Sequence, residues 1–77
     1  MTGGLPVIRA RELLQALDKA GFVQKRVSGS HVILAHRDDP GRAVTVPIHG
    51  SKDLKPGTLR SIVRQAGLTV EELRDLL

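Results

Sequence analysis

The sequence predicts an α+β domain: a three-stranded antiparallel sheet with helices on one face. Three observations lead there. Apolar residues recur at helical spacing in two separate stretches, near residues 10–17 and 59–66. Between them lie three short runs suited to strands, divided by turn chemistry at Ser28-Gly29 and at Asp38-Asp39-Pro40-Gly41. The chain has 77 residues, room for one small domain, so a single domain over 1–77 is expected. The element order is α-β-β-β-α plus a short C-terminal helix.

Residues 1–7 contain Gly3, Gly4 and Pro6 and read as a loose lead-in. A helical pattern starts at Ile8, with Ala10, Leu13, Leu14 and Leu17 on one stripe and Arg9, Arg11, Glu12, Gln15 and Asp18 largely off it. Lys19 and then Gly21 suit a helix C-terminus. Phe22 to Val27 is the first strand, with Val23, Lys25 and Val27 on one parity and Gln24 and Arg26 on the other. Val32 to His36 follows after the Ser28-Gly29 turn, and Arg42 to Pro47 is the third strand. Proline cannot donate to a ladder, so Pro47 ends that strand or places it on an edge. IHGSKDLK, residues 48–55, is a polar connection. Pro56 fits a first helical turn, and Leu59, Ile62, Val63 and Ala66 follow at i, i+3, i+4 and i+7. Gly67 ends that helix. Thr69 and Glu72 have capping-box spacing ahead of Leu73, Leu76 and Leu77.

Composition narrows the function. The chain carries no cysteine, which excludes disulfides and thiolate sites and fits a reducing compartment. No apolar run approaches the roughly 20 residues that span a bilayer, and residues 1–12 lack the apolar segment of a signal peptide. A soluble, cytoplasmic protein with no membrane partner is expected. Net charge is +4, and the excess is concentrated: Lys19 to Arg64 holds nine Lys/Arg against three Asp/Glu. A basic middle suggests a polyanion, most simply nucleic acid. Phe22 is the only Phe, Tyr or Trp, so base stacking cannot carry binding; backbone charge and shape must. The α-β-β-β-α order is also that of double-stranded-RNA-binding domains, which read A-form shape, phosphates and 2′-hydroxyls.

Three histidines are present, His31, His36 and His49. His31 and His36 are five apart on one strand and point to opposite faces, so a shared metal is not expected. Ser30 and His31 are neighbours in an extended segment and face apart, and there is no Gly-x-Ser-x-Gly elbow or Walker spacing. What remains is a histidine among cations. RNA carries its own nucleophile, the 2′-hydroxyl. An acid or base plus neutralisation of the phosphate therefore suffices to cut it without metal or cofactor. His31, with Lys25, Arg26, Lys52 and Lys55 as phosphate contacts and Ser30 beside it, has the residue types. Lys52 and Lys55 stand just before a helix start, where an anion also meets main-chain N–H groups. Taken alone, His31 shares parity with Ile33 and Ala35 and reads as a partly buried strand residue. His36 reads as structural or exposed. His49, after Pro47, reads as a loop or supporting residue ahead of a substrate contact, and the sequence leaves its role open. Arg60 and Arg64, one turn apart, serve equally as phosphate contacts or as a solvated helix face.

In sequence the chain resembles the HicA (YcfA-like) family of mRNA interferase toxins. The resemblance rests on AGF at 20–22, GSH at 29–31, TVPIH at 45–49 and KDLKPGTLRSIVRQAGLTVEEL at 52–73, in that order and spacing over about residues 6–77. Val27 departs from it, since the family more often has glutamine after the arginine. The resemblance implies a double-stranded-RNA-binding-like fold and a ribosome-independent endoribonuclease with His31 as catalytic residue. It also implies a HicB-type antitoxin that blocks the site. The expected activity is metal-independent RNA cleavage, with His31 as general acid or as general base. The competing readings are a non-catalytic double-stranded-RNA-binding module and a basic docking surface for an acidic protein.

Overall fold

A computed structural model describes residues 4–77; residues 1–3 of the lead-in lie outside the described residues. Along the chain follow α1 (Ala10–Lys19), β1 (Phe22–Ser28), β2 (His31–His36), β3 (Ala43–Pro47), α2 (Pro56–Gln65) and α3 (Val70–Leu76). The strands form one antiparallel sheet in the order β1-β2-β3. This is the α+β arrangement that the sequence predicts.

One sheet face builds the core. Val32 and Leu34 of β2, Val44 and Val46 of β3 and Phe22 of β1 are buried with Leu13 and Leu17 of α1, Leu59, Ile62 and Val63 of α2 and Leu73 of α3. Helix α1 packs on β1 and β3, α2 packs on β3, and α3 lies against α1. Within the lead-in, Leu5 packs against this core. The opposite parity carries His31, Ile33 and Ala35 on β2 and Ala43, Thr45 and Pro47 on β3. His31, Ala43 and Thr45 are exposed there. Ala35 is buried because its methyl sits between Val23 and Ala43 on the flanking strands.

The helix ends follow local chemistry. The Glu12 carboxylate accepts from the Arg9 N–H at 2.9 Å at the start of α1. Pro56 occupies the first turn of α2, where a missing N–H is harmless. In α3 the expected capping box is complete. Thr69 Oγ1 accepts from the Glu72 N–H at 3.0 Å, and the Glu72 carboxylate accepts from the Thr69 N–H at 2.8 Å.

Two local expectations need correction. First, β1 runs on to Ser28, which pairs with His31, so the hairpin turn is Gly29-Ser30 rather than Ser28-Gly29. Gly29 has φ +59°, the positive value that a two-residue turn with glycine first requires. Second, simple alternation fails in β1. The register shifts between Gln24 and Arg26, so Gln24 opposes core-facing Leu34 while Arg26 opposes outward Ile33 and Val27 opposes core-facing Val32. An extra residue, Lys25, absorbs the shift as a bulge.

Phe22 anchors the end of the fold where α1 enters the sheet. Its ring is fully buried, with the edge-on His36 ring 5.1 Å away and the Arg42 guanidinium carbon 5.6 Å from its centroid. His36 Nδ1 accepts from the Asp38 N–H at 3.1 Å, so its Nε2 carries the proton and donates to the Ala20 carbonyl at 3.1 Å. Arg42 donates to the Ala66 carbonyl at the end of α2. His36 is thus structural, one of the two readings that the sequence allows. Gly21 has φ +100°, and a Cβ there would stand 2.8 Å from His36 Nε2. Gly21→Ala should therefore cost about 1–3 kcal/mol through backbone strain and the displaced ring. Phe22→Ala should cost about 3–5 kcal/mol, and urea titration monitored by circular dichroism measures both.

Candidate active site

His31 opens β2 on the sheet face that the helices leave uncovered. Its parity partners are Ile33 and Ala35, as alternation predicts, yet its side chain is exposed rather than partly buried. The reason lies in Val32 and Leu34. Their burial against the helices commits the other parity of β2, His31 included, to the open face.

A second segment meets it there. His31 is paired with Pro47, the last residue of β3. Pro47 has no N–H, and the next donor, Ile48 N–H, reaches the Ser30 carbonyl at 2.7 Å. This bond holds the chain leaving β3 against the Gly29-Ser30 turn. The Lys52 N–H then donates to the His49 carbonyl at 3.2 Å, and Gly50 turns the backbone with φ +63°. Beyond the turn, Leu54 is buried and its N–H donates to the Ile8 carbonyl at 2.9 Å. Asp53 and Lys55 on either side of it stay exposed. Lys55 is the residue from which α2 starts, and Thr58 lies in its first turn.

These connections form a cleft of about 650 Å³ lined by His31, Thr45, Pro47, His49, Lys52, Asp53, Leu54, Lys55 and Thr58. It holds two imidazoles, two ammonium groups, one carboxylate and two hydroxyls. The first turn of α2 carries no acidic residue, so its partial positive charge adds to that of the lysines. The first turns of α1 and α3 contain Glu12 and Glu72. An anion such as a phosphate diester meets cations here beside groups able to move a proton near neutral pH. Among the described residues, no group of three or more His, Cys, Asp or Glu could hold a metal ion.

The cleft unites three of the residues singled out from sequence: His31, Lys52 and Lys55. Lys25, Arg26 and Ser30 do not line it. Lys25 is the bulge residue, Arg26 stands on the open face opposite Ile33, and Ser30 supplies the carbonyl that holds Ile48. His49, whose role the sequence left open, joins His31, Lys52 and Lys55 in the cleft, and sequence reasoning missed Thr45, Asp53 and Thr58. Thr45 was within reach, since it shares outward parity with Pro47 on β3. The others depend on the turn at 49–52.

A family model for the HicA toxin of bacterial toxin–antitoxin systems matches residues 10–68. The chain belongs to the HicA toxin family. The match starts at the first residue of α1, runs past the end of α2 and includes every residue of the cleft. No curated protein matches the chain. Membership makes the protein the toxin half of a pair and implies an antitoxin partner. Among the described residues, no helix is long and apolar enough to cross a membrane.

The geometry predicts a shared response to anions. When inorganic phosphate is titrated and imidazole C–H resonances are followed by NMR, His31 and His49 should shift together. His36, tied to Ala20 and Asp38 on the other parity of β2, should stay in place.

Proposed function

We propose that this HicA-family toxin is a metal-independent endoribonuclease whose cleft binds a phosphodiester of mRNA beside His31. The observation that carries the reading is the exposed imidazole of His31 sharing one cleft with Lys52 and Lys55. RNA needs no external nucleophile: its 2′-oxygen attacks the adjacent phosphorus and the bond to the 5′-oxygen breaks. The products are a 2′,3′-cyclic phosphate and a 5′-hydroxyl. His31 serves as general base on the 2′-hydroxyl or as general acid on the 5′-oxygen. Lys52 and Lys55 position the phosphate and stabilise the charge that builds on its free oxygens. Lys25, Arg26 and Ser30, on β1 and the adjoining turn, contact the flanking RNA backbone. The antitoxin partner is of HicB type and silences the toxin by covering this cleft.

A second reading has support in the α-β-β-β-α layout, which double-stranded-RNA-binding domains share: a module that holds RNA without cutting it. One assay separates the two. Antitoxin-free protein is incubated with RNA in the presence of a chelator. The enzyme reading expects cleavage, and His31→Ala should lower its rate by about 10²–10⁴-fold with fold and RNA affinity kept. Retention of RNA with no cleavage by the parent protein would leave the binding module, and normal cleavage by His31→Ala would remove His31 from the mechanism. The double variant Lys52→Ala/Lys55→Ala should weaken single-stranded RNA binding. It should also flatten the dependence of log K on log salt by about 0.7 for each phosphate that the protein no longer neutralises.

A further inference from the structure

We infer that His49 is a second catalytic residue, the proton-transfer partner of His31, so that the cleft works with an acid and a base from two separate backbone segments. This rests on the ribonuclease reading above and asks what that reaction needs beyond one imidazole.

The chemistry demands two proton transfers. One proton leaves the 2′-oxygen as it attacks phosphorus, and one reaches the 5′-oxygen as it departs. In an in-line displacement these oxygens lie on opposite sides of phosphorus. A single side chain beside the phosphate reaches one of them. The other is left to solvent or served by a second group, and with a second group the balance closes without water, metal or any co-reactant. The base takes the 2′ proton, the acid gives its own to the 5′-oxygen, and the two groups exchange protonation states.

The cleft offers few groups for that second place. Lys52 and Lys55 are ammonium groups, poor bases at neutral pH and better used as phosphate contacts. Asp53 could act only as a base, and its negative charge opposes the approach of a phosphate. An imidazole populates both forms near neutral pH and serves in either role. His49 is the only other imidazole lining the cleft.

Its position is built rather than incidental. The Ile48 N–H to Ser30 carbonyl bond of 2.7 Å ties the residue before His49 to the residue before His31. The His49 carbonyl is itself held by the Lys52 N–H. One imidazole thus enters from the start of β2 and the other from the turn after β3, with the ladder pair His31–Pro47 between them. The side chain of His49 is exposed, so a substitution there removes no core packing.

The test compares ordinary RNA with RNA whose scissile 5′-oxygen is replaced by sulfur, a leaving group that departs without a proton. His31→Ala and His49→Ala should each cleave ordinary RNA about 10²–10⁴-fold more slowly while keeping RNA affinity and the thermal unfolding midpoint. On the sulfur-linked RNA, one variant should recover the parent rate and the other stay slow, which names the acid and the base. Each ratio is internal to one variant, so a general loss of folded protein cancels; His49→Gln repeats the comparison in a side chain of similar size. Cleavage of ordinary RNA by His49→Ala within about threefold of the parent overturns the inference. So does an unchanged defect of both variants on the sulfur-linked RNA, or recovery by both. A collapse of activity in Asp53→Asn with His49→Ala unaffected overturns it in favour of the carboxylate. A parent protein that cuts neither RNA overturns the ribonuclease reading itself, an outcome distinct from all of these.

Discussion

Phe22, Val32, Leu34, Val44 and Val46 can leave water only against the helices, and that pairing of one sheet face with the helix layer is the constraint on which the rest depends. Each such side chain contributes about 1.5–3 kcal/mol when buried. A strand has a period of two, so this burial also decides what every other residue does. If β2 slipped by one residue, Val32 and Leu34 would face water and His31 would be driven under the helices. The core therefore keeps the histidine accessible, although no core residue touches it.

The cleft depends on a further link, from sheet to connection. His31 and Pro47 form a pair whose N–H positions point away from the β2–β3 ladder, so the proline interrupts nothing there, and the next rung is the Ile48 N–H bond to the hairpin carbonyl of Ser30. The segment 48–55 is then pinned at both ends, by that bond and by Leu54 on Ile8. Between these points it lines the cleft with His49, Lys52 and Asp53 beside His31. Burial of Leu54 also fixes where α2 begins, which brings Lys55 and Thr58 to the same place. A short polar connection becomes a wall of the cleft through two main-chain bonds and one buried leucine.

Much of this was legible in the residues. The helical stripes, the strand end at Pro47, the helix start at Pro56, the Thr69–Glu72 cap and the stops at Gly21 and Gly67 are local signals, and the structure follows them. The side of the sheet on which His31 lies was legible only as a parity. Ile33 and Ala35 are apolar, as are Val32 and Leu34, and which pair the helices cover is decided by packing at long range. The bulge at Lys25 has no glycine to mark it, and FVQKRVS alternates acceptably in either register. The gathering of His49 and Lys52 beside His31 needs the Ile48–Ser30 bond, which joins residues that nothing in the local sequence connects. The clasp of His36 and Arg42 around Phe22 was out of reach for the same reason.

The bulge in β1 bears on how this chain meets others. β1 is an edge strand, paired only with β2, and its outer backbone groups are the kind that recruit foreign strands into fibrils or swapped dimers. With Lys25 displaced from the ladder, a strand arriving from another molecule finds two short stretches, Phe22–Gln24 and Arg26–Ser28, and no continuous template. At the other edge, Pro47 closes β3. A strand arriving at the β1 margin must therefore select one half of β1, while at the β3 margin Pro47 removes one donor at the strand's end.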